Sequence, residues 1–236
     1  MQLHTLTPVH SITHTPTHTA LHTTRGTLTA TTTIFASNAY TAGLLPQYRN
    51  IITPIKSTAS HISVPPDTAA QPPYLATTFN IRFAPSKVDY MNPRPDGSIV
   101  VGGAQWTYRN DKSLWYNRVD DDSQIPGAAA HFDGLMQREF GGWEESRAYT
   151  EHLWTGIQGI TPDGMPQVGL VPGTRNQYIL AGYNGGGNAL VFGCAKGVAG
   201  MVVRGCKFEE TGVPRMFEAS VEGDRLVDYR LKKGRV

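Results

Sequence analysis

The stretch Gln177-Tyr178-Ile179-Leu180-Ala181-Gly182-Tyr183-Asn184-Gly185-Gly186-Gly187-Asn188-Ala189-Leu190-Val191 passes from a β pattern to a helical one within a few residues. Tyr178, Ile179 and Leu180 predict a strand over 177–183. The glycine run Gly185 to Gly187 follows. Leu190, Val191, Ala195, Val198, Ala199, Met201 and Val202 then recur at helical spacing, predicting a helix over 188–204 closed by Gly205. Gly193, Gly197 and Gly200 inside that helix cost about 1 kcal/mol each relative to alanine. Close packing against a sheet or a bound group is the expected compensation. A strand running through glycines into a helix leaves free N–H groups at the positive end of the helix dipole, a setting that favours an anion or developing negative charge. The glycine run taken alone describes a tight structural turn better. It lacks the Lys-Ser/Thr ending of a phosphate-binding P-loop and is not a G-x-G-x-x-G.

Upstream, threonine and histidine alternate with apolar residues from Met1 to Ala36, a β-rich pattern with a hairpin turn at Arg25-Gly26-Thr27 and a strand over 28–35. His4, His10, His14, His18 and His22 lie here, the last four at intervals of four residues. On strands that spacing is about 13 Å, too far for one metal ion, so no metal site is expected. A strand pair is predicted over 50–61, and strands over 79–83, 88–92 and 98–102. The last two are joined by the turn Pro93-Arg94-Pro95-Asp96-Gly97. A helix is expected over 127–140, a strand over 144–154, and a core position for Trp154.

The 236 residues allow one sizeable domain or two small ones, and the net charge of +2 shows no basic stripe for nucleic acid. The densest basic run, Arg230 to Arg235, reads as a solvated tail. Cys194 and Cys206 are too few for a disulfide scaffold and read as reduced, buried thiols of a cytoplasmic protein. No apolar run is long enough for a membrane span, and Met1 to His10 lacks signal-peptide character.

Five segments, in order from about residue 5 to 217, resemble the D-amino-acid oxidase and sarcosine oxidase family of FAD-dependent oxidoreductases, with wording nearest its fungal members. Ala36-Ser37-Asn38-Ala39-Tyr40-Thr41 resembles the family's "ATNAYT" segment, and Pro54-Ile55-Lys56-Ser57 its strand entering the substrate domain. Asp89 to Gly97 with Ile99-Val100-Val101-Gly102-Gly103 resembles its "Y-x-x-P…DG" hairpin. Thr155 to Pro166 resembles the strand that crosses the flavin, and Ala181 to Gly187 the final "G-x-x-G-x-G" loop.

The resemblance implies an α/β (α+β) fold: a partial FAD-binding domain (1–46, returning at 156–217) around a mixed or antiparallel substrate-binding sheet (47–155), with a tail over 218–236. It implies hydride transfer from a C–N bond of a small amine or amino acid to FAD. FAD-binding residues would be Ala36, Ser37, Asn38, Ala39, Tyr40, Gly185, Gly186, Gly187, Asn188 and Ala189. Tyr90 and Gln158 would face substrate, with no acid–base residue assigned. Gln158 stands where many relatives carry a carboxylate-clamping arginine, and a neutral amide cannot form that bidentate pair. Arg82 is the alternative clamp, or an ordinary surface residue of its strand. The flavinylated cysteine of sarcosine oxidases has no counterpart on 155–160, which implies non-covalent FAD. Asn188 or Ala189 stands where those oxidases place an oxygen-activating lysine, which leans toward a dehydrogenase or a slow oxidase. The family's opening G-x-G-x-x-G strand–loop–helix, which grips the FAD pyrophosphate, is not among these residues. The sequence therefore also fits a non-catalytic fragment or remnant, or one half of a split flavoprotein with a missing N-terminal half. A small β-rich binding module around Tyr90 is a third reading.

Overall fold

The computed structural model describes residues 2–69 and 71–221, so the basic run at Arg230 to Arg235 lies outside the described residues. In chain order come the strands β1 (Val9–His14), β2 (Thr19–Thr23), β3 (Gly26–Ala30) and β4 (Thr33–Phe35), then the one-turn helix α1 (Thr41–Leu44). Next are β5 (Thr53–Ser63), β6 (Phe79–Ala84), β7 (Lys87–Pro93) and β8 (Ile99–Gly103), followed by the short helices α2 (Gln105–Tyr108), α3 (Ala128–Phe132) and α4 (Leu135–Glu139). Then come β9 (Tyr149–Ile160), β10 (Gln167–Leu170), β11 (Gln177–Ala181) and the long helix α5 (Gly187–Arg204). This is the expected α+β mixture. Among the described residues no helix is long and apolar enough to cross a membrane.

Two compact units result. One takes both ends of the chain, up to Pro54 and from Gln158 onward, and the other is Ile55–Ile157.

In the first unit the sheet runs β10-β11-β4, with β11 parallel to β4. Nearly every residue of β11 is buried, as expected of a strand covered on both faces. Leu180 packs with Cys194 and Val198 of α5. Ile179 and Ala181 pack with Leu45, Tyr48, Ile51 and Ile52. A separate antiparallel sheet, β1-β2-β3, carries the threonine–histidine segment. Its histidines bond to threonines: His22 lies 2.9 Å from the Thr13 hydroxyl, and His18 lies 3.0 Å from that of Thr15.

Several local readings change here. The strand expected over 28–35 divides at Thr31-Thr32, because β3 pairs with β2 while β4 leaves to pair with β11. The strand pair over 50–61 is one strand from Thr53, since Ile51 and Ile52 turn inward to fill the core. Cys194 is buried as expected, but Cys206 is only half-buried. The helix over 188–204 forms, and Gly205 closes it in the left-handed conformation (φ 67°). Its glycines permit close approach by the segment that follows. A Cβ on Gly197 would stand 2.5 Å from Val213, whereas Gly193 faces open space.

In the second unit one antiparallel sheet runs β6-β7-β8-β5-β9. Alternation along β7 sends Asp89 and Met91 inward and Tyr90 and Asn92 outward. Met91, Val101 and Ile62 pack with Phe132, Leu135 and Met136 of α3 and α4. The helix expected over 127–140 is broken into these two pieces at Asp133-Gly134, where Gly134 takes φ 61°. Both pieces can then place apolar residues on the sheet. The strand expected over 144–154 begins instead at Tyr149 and continues to Ile160, because the preceding turn buries Trp143. Trp154 is 43% exposed, correcting its expected core position: it lies on the half of the strand that alternates toward solvent.

The buried Lys56 ammonium donates to Asp120 at 2.9 Å and to the Ser123 hydroxyl at 2.7 Å. Hydrogen bonds from Lys56 and Ser123 lower the Asp120 pKa from 3.8 to about 2. A depressed carboxyl stabilises the fold above its unfolded pKa, and that contribution disappears as pH falls through the folded value. The melting-temperature gap between the natural chain and Asp120→Asn should therefore be constant above pH 3.8 and close between pH 3.8 and about 2. Thermal melts across that range check this.

Candidate functional site

β11 ends at Ala181, and the chain then turns through left-handed residues: Gly182 (φ 74°), Asn184 (φ 53°) and Gly185 (φ 80°). Glycine adopts this region without strain, and asparagine tolerates it better than most residues. Asn38, also left-handed at φ 44°, reaches the same turn from the segment after β4. Its Oδ1 accepts hydrogen bonds from the N–H groups of Gly182 at 2.9 Å and Tyr183 at 3.3 Å. Asn184 ties in the end of β9. Its N–H donates to the Gly159 carbonyl at 2.9 Å, and its Oδ1 accepts from the Thr161 N–H at 2.8 Å. A Cβ on Gly159 would lie 3.0 Å from Asn38 Oδ1, so glycine there lets β9 lie against the asparagine. Three segments distant in sequence thus meet through two carboxamides.

At the start of α5 no side chain caps the helix, and no acidic residue lies in its first turn. Gly185, Gly186, Asn188 and Ala189 are exposed around this helix end. The uncapped N–H groups and the dipole form a local positive pole, open to a negatively polarised group. The Gln158 Oε1 lies 3.3 Å from where a Cβ on Gly185 would stand. Gly185→Ala would force a left-handed alanine against this side chain, a cost of about 1–2 kcal/mol. Its urea midpoint should fall accordingly, with a matching loss of ligand retention at the loop, measured by fluorescence-monitored unfolding and dialysis.

Of the segment 36–40, Ala36 and Tyr40 are exposed, Ser37 and Asn38 half-buried and Ala39 buried. The Ser37 hydroxyl lies 2.9 Å from that of Thr41. Burial raises the Tyr183 phenol and Cys194 thiol pKa values, keeping Cys194 a neutral thiol at neutral pH.

In the second unit Tyr90 is 46% exposed on the outward face, its ring over Gly102, where a Cβ would stand 2.1 Å from the phenol oxygen. Burial of its inner part, then the Asp89 charge, raises the Tyr90 pKa. The same two causes push Tyr108 up to about 12. Both phenols are protonated at neutral pH. Arg82 lies on the same outward face, exposed, and donates to the Pro85 carbonyl at 3.2 Å.

Residue types alone did not single out the Asp89–His131 pair. Asp89 is fully buried; its Oδ1 accepts from the Ala104 N–H at 2.8 Å, and its Oδ2 lies 2.6 Å from His131 Nε2. The rings of Phe83, Trp106 and Phe132 surround His131, with centroids 5.5, 4.8 and 5.3 Å away. The available signal was an acid at an inward position of an alternating strand.

A family model described as FAD dependent oxidoreductase (DAO) matches residues 1–201. The chain belongs to this family. Among solved structures, glycine oxidase from Geobacillus kaustophilus is 22% identical with a TM-score of 0.62, over 89% of this chain and 52% of that one. L-proline dehydrogenase from P. horikoshii is 16% identical with a TM-score of 0.64, over 98% and 55%. The fructosyl amine:oxygen oxidoreductase Amadoriase I from Aspergillus fumigatus is 14% identical with a TM-score of 0.64, over 93% and 49%. At these identities the likeness speaks for the fold. No curated protein matches the chain. The chain spans about half the length of these solved FAD-dependent oxidoreductase relatives.

Proposed function

We propose that this chain supplies the ring-facing part of an FAD-dependent oxidoreductase that acts on a small amine or amino acid. The observation that carries the proposal is the uncapped start of α5 behind the Gly185–Gly187 loop, tied by Asn38 to the 36–40 segment. These residues fit the ring end of a flavin. The exposed glycines allow close backbone approach, and the helix end favours negative charge on the group it faces. FAD, when bound, supplies the hydride acceptor for oxidation of the C–N bond. Ser37 to Tyr40 and Gly185 to Ala189 would hold it, without a covalent link, since 155–160 carries no cysteine.

On the substrate side, Gln158 is the candidate contact in the first unit and Tyr90 the candidate in the second, each a neutral hydrogen-bonding group. Gln158 offers an amide rather than a guanidinium, so a plain α-carboxylate gains no bidentate pair from it. Arg82 is the candidate for that contact. We place the protein in the cytoplasm.

The pyrophosphate end of FAD calls for a further strand–loop–helix. The first unit fits its addition: β4 pairs on one side only among the described residues, and α5 exposes Val191 and Phe192, the latter 82% exposed. This favours, as a second reading, one half of a split flavoprotein or a non-catalytic fragment. The test is a visible absorbance spectrum of the purified chain, before and after FAD addition and dialysis. A retained flavin spectrum, bleached anaerobically by an amine, supports independent catalysis. A folded chain that retains no flavin overturns independent catalysis and leaves the fragment reading.

A further inference from the structure

Two consecutive residues of β7 lie across two consecutive glycines of β8, on opposite faces of the sheet. Tyr90 pairs with Gly102, and the end of its ring fills the space that a Cβ on Gly102 would need. Asp89 points the other way, and its Oδ1 fills the space that a Cβ on Gly103 would need. Glycine at both places admits a side chain on each face of the same stretch of backbone.

The two sides are held differently. The Tyr90 phenol is exposed and protonated at neutral pH, and no hydrogen bond from the described residues holds its hydroxyl. Asp89 is fully buried and fastened twice. Its Oδ1 accepts from the Ala104 N–H at 2.8 Å, and its Oδ2 lies 2.6 Å from His131 Nε2. His131 is fixed in turn. The rings of Phe83, Trp106 and Phe132 surround it, and its carbonyl accepts from Arg138 at 2.9 Å. Gly103 at φ 144° and Ala104 at φ 55° turn the end of β8 so that the Ala104 N–H meets the carboxylate. A slip of one residue between β7 and β8 would exchange the faces of Asp89 and Tyr90. The polar contacts that oppose such a slip at this place all belong to Asp89.

We infer that Asp89 is a positioning residue for Tyr90: its carboxylate, clamped by Ala104 N–H and His131 on the inner face, sets the register that lays the phenol over Gly102 on the outer face. The inference rests on the reading of Tyr90 as a substrate contact. It adds that the phenol donor is aimed by a group that the substrate does not touch, acting through the backbone of β7.

The test is the Gly102 Hα chemical shift in the full chain without flavin, because an aromatic ring lying over an α-carbon displaces its protons upfield. Tyr90→Leu removes the ring and so measures the displacement. Asp89→Asn keeps the Oδ1 acceptor and the side-chain volume, and should keep the displacement. Asp89→Ala should lose most of it. If Asp89→Ala does not fold, the natural chain in sub-denaturing urea replaces it. There the displacement should fade together with the hydrogen-exchange protection of the Ala104 amide. A folded Asp89→Ala with the full displacement overturns the inference. So does an Asp89→Asn that loses as much as Asp89→Ala, or a displacement that outlasts Ala104 protection in urea. Neither flavin nor amine enters the measurement, so its failure is distinct from a failure of the oxidoreductase reading, which the flavin spectrum decides.

Discussion

Replacing Asp89 by alanine should lower the unfolding free energy of the second unit by roughly 2–5 kcal/mol, since each of the two hydrogen-bonding groups it leaves without a partner costs about 1–3 kcal/mol. The carboxylate makes two connections there. Its Oδ1 satisfies the Ala104 N–H, at a residue held left-handed at φ 55°, and its Oδ2 meets His131 at 2.6 Å. Alanine leaves both groups unpaired in an apolar setting and opens a void beside Gly103, whose missing Cβ makes room for this carboxylate. Asp89→Asn keeps an acceptor for Ala104 and the side-chain volume, so its loss should be smaller. Urea unfolding followed by tryptophan fluorescence separates the variants. Equal midpoints for Asp89→Ala and the natural chain would show that the pair contributes nothing to stability.

The second large effect is expected at Asn38. Asn38→Ala removes the acceptor for two backbone N–H groups of the turn after β11, each worth about 1–3 kcal/mol when left buried and unsatisfied. It also puts an alanine where φ is 44°, adding about 1–2 kcal/mol of strain. A net loss of at least about 3 kcal/mol is expected, along with a loosened glycine loop and weaker flavin retention. Asn38→Gly separates the two contributions, because it relieves the strain but not the missing acceptor. It should fall between the natural chain and Asn38→Ala in urea midpoint. A glycine variant as stable as the natural chain would mean the carboxamide bonds carry no weight.

Many of these groups stood in plain view in the sequence. Alternation in Lys87 to Pro93 and a turn at Pro93 to Gly97 already describe a hairpin, and β7 and β8 form it with Arg94 and Ser98 hydrogen-bonded across its base. The strand–glycine–helix unit around Gly185 was equally legible, because glycine and asparagine mark left-handed turns whatever surrounds them. The five ordered motifs pointed to the family that the match over residues 1–201 then established. Less legible were the boundaries. The helix over 127–140 broke at Gly134, and Leu28 to Phe35 split between two sheets. Both follow from where the pieces must bury their apolar side chains, which a local period does not specify.

What the sequence by itself determined was local: which segments are extended, where the chain takes left-handed turns, and how α5 starts and stops. These depend on backbone sterics and short-range periodicity, which each residue carries with it. Only the tertiary structure decided that Asn38 would accept from Gly182, 144 positions away, that β4 would lie parallel to β11, and that Trp154 would face solvent. It also decided that Asp89 would meet His131 against the core. Those outcomes come from apolar burial and hydrogen-bond satisfaction summed over segments far apart in the chain, and no single window of residues contains that sum.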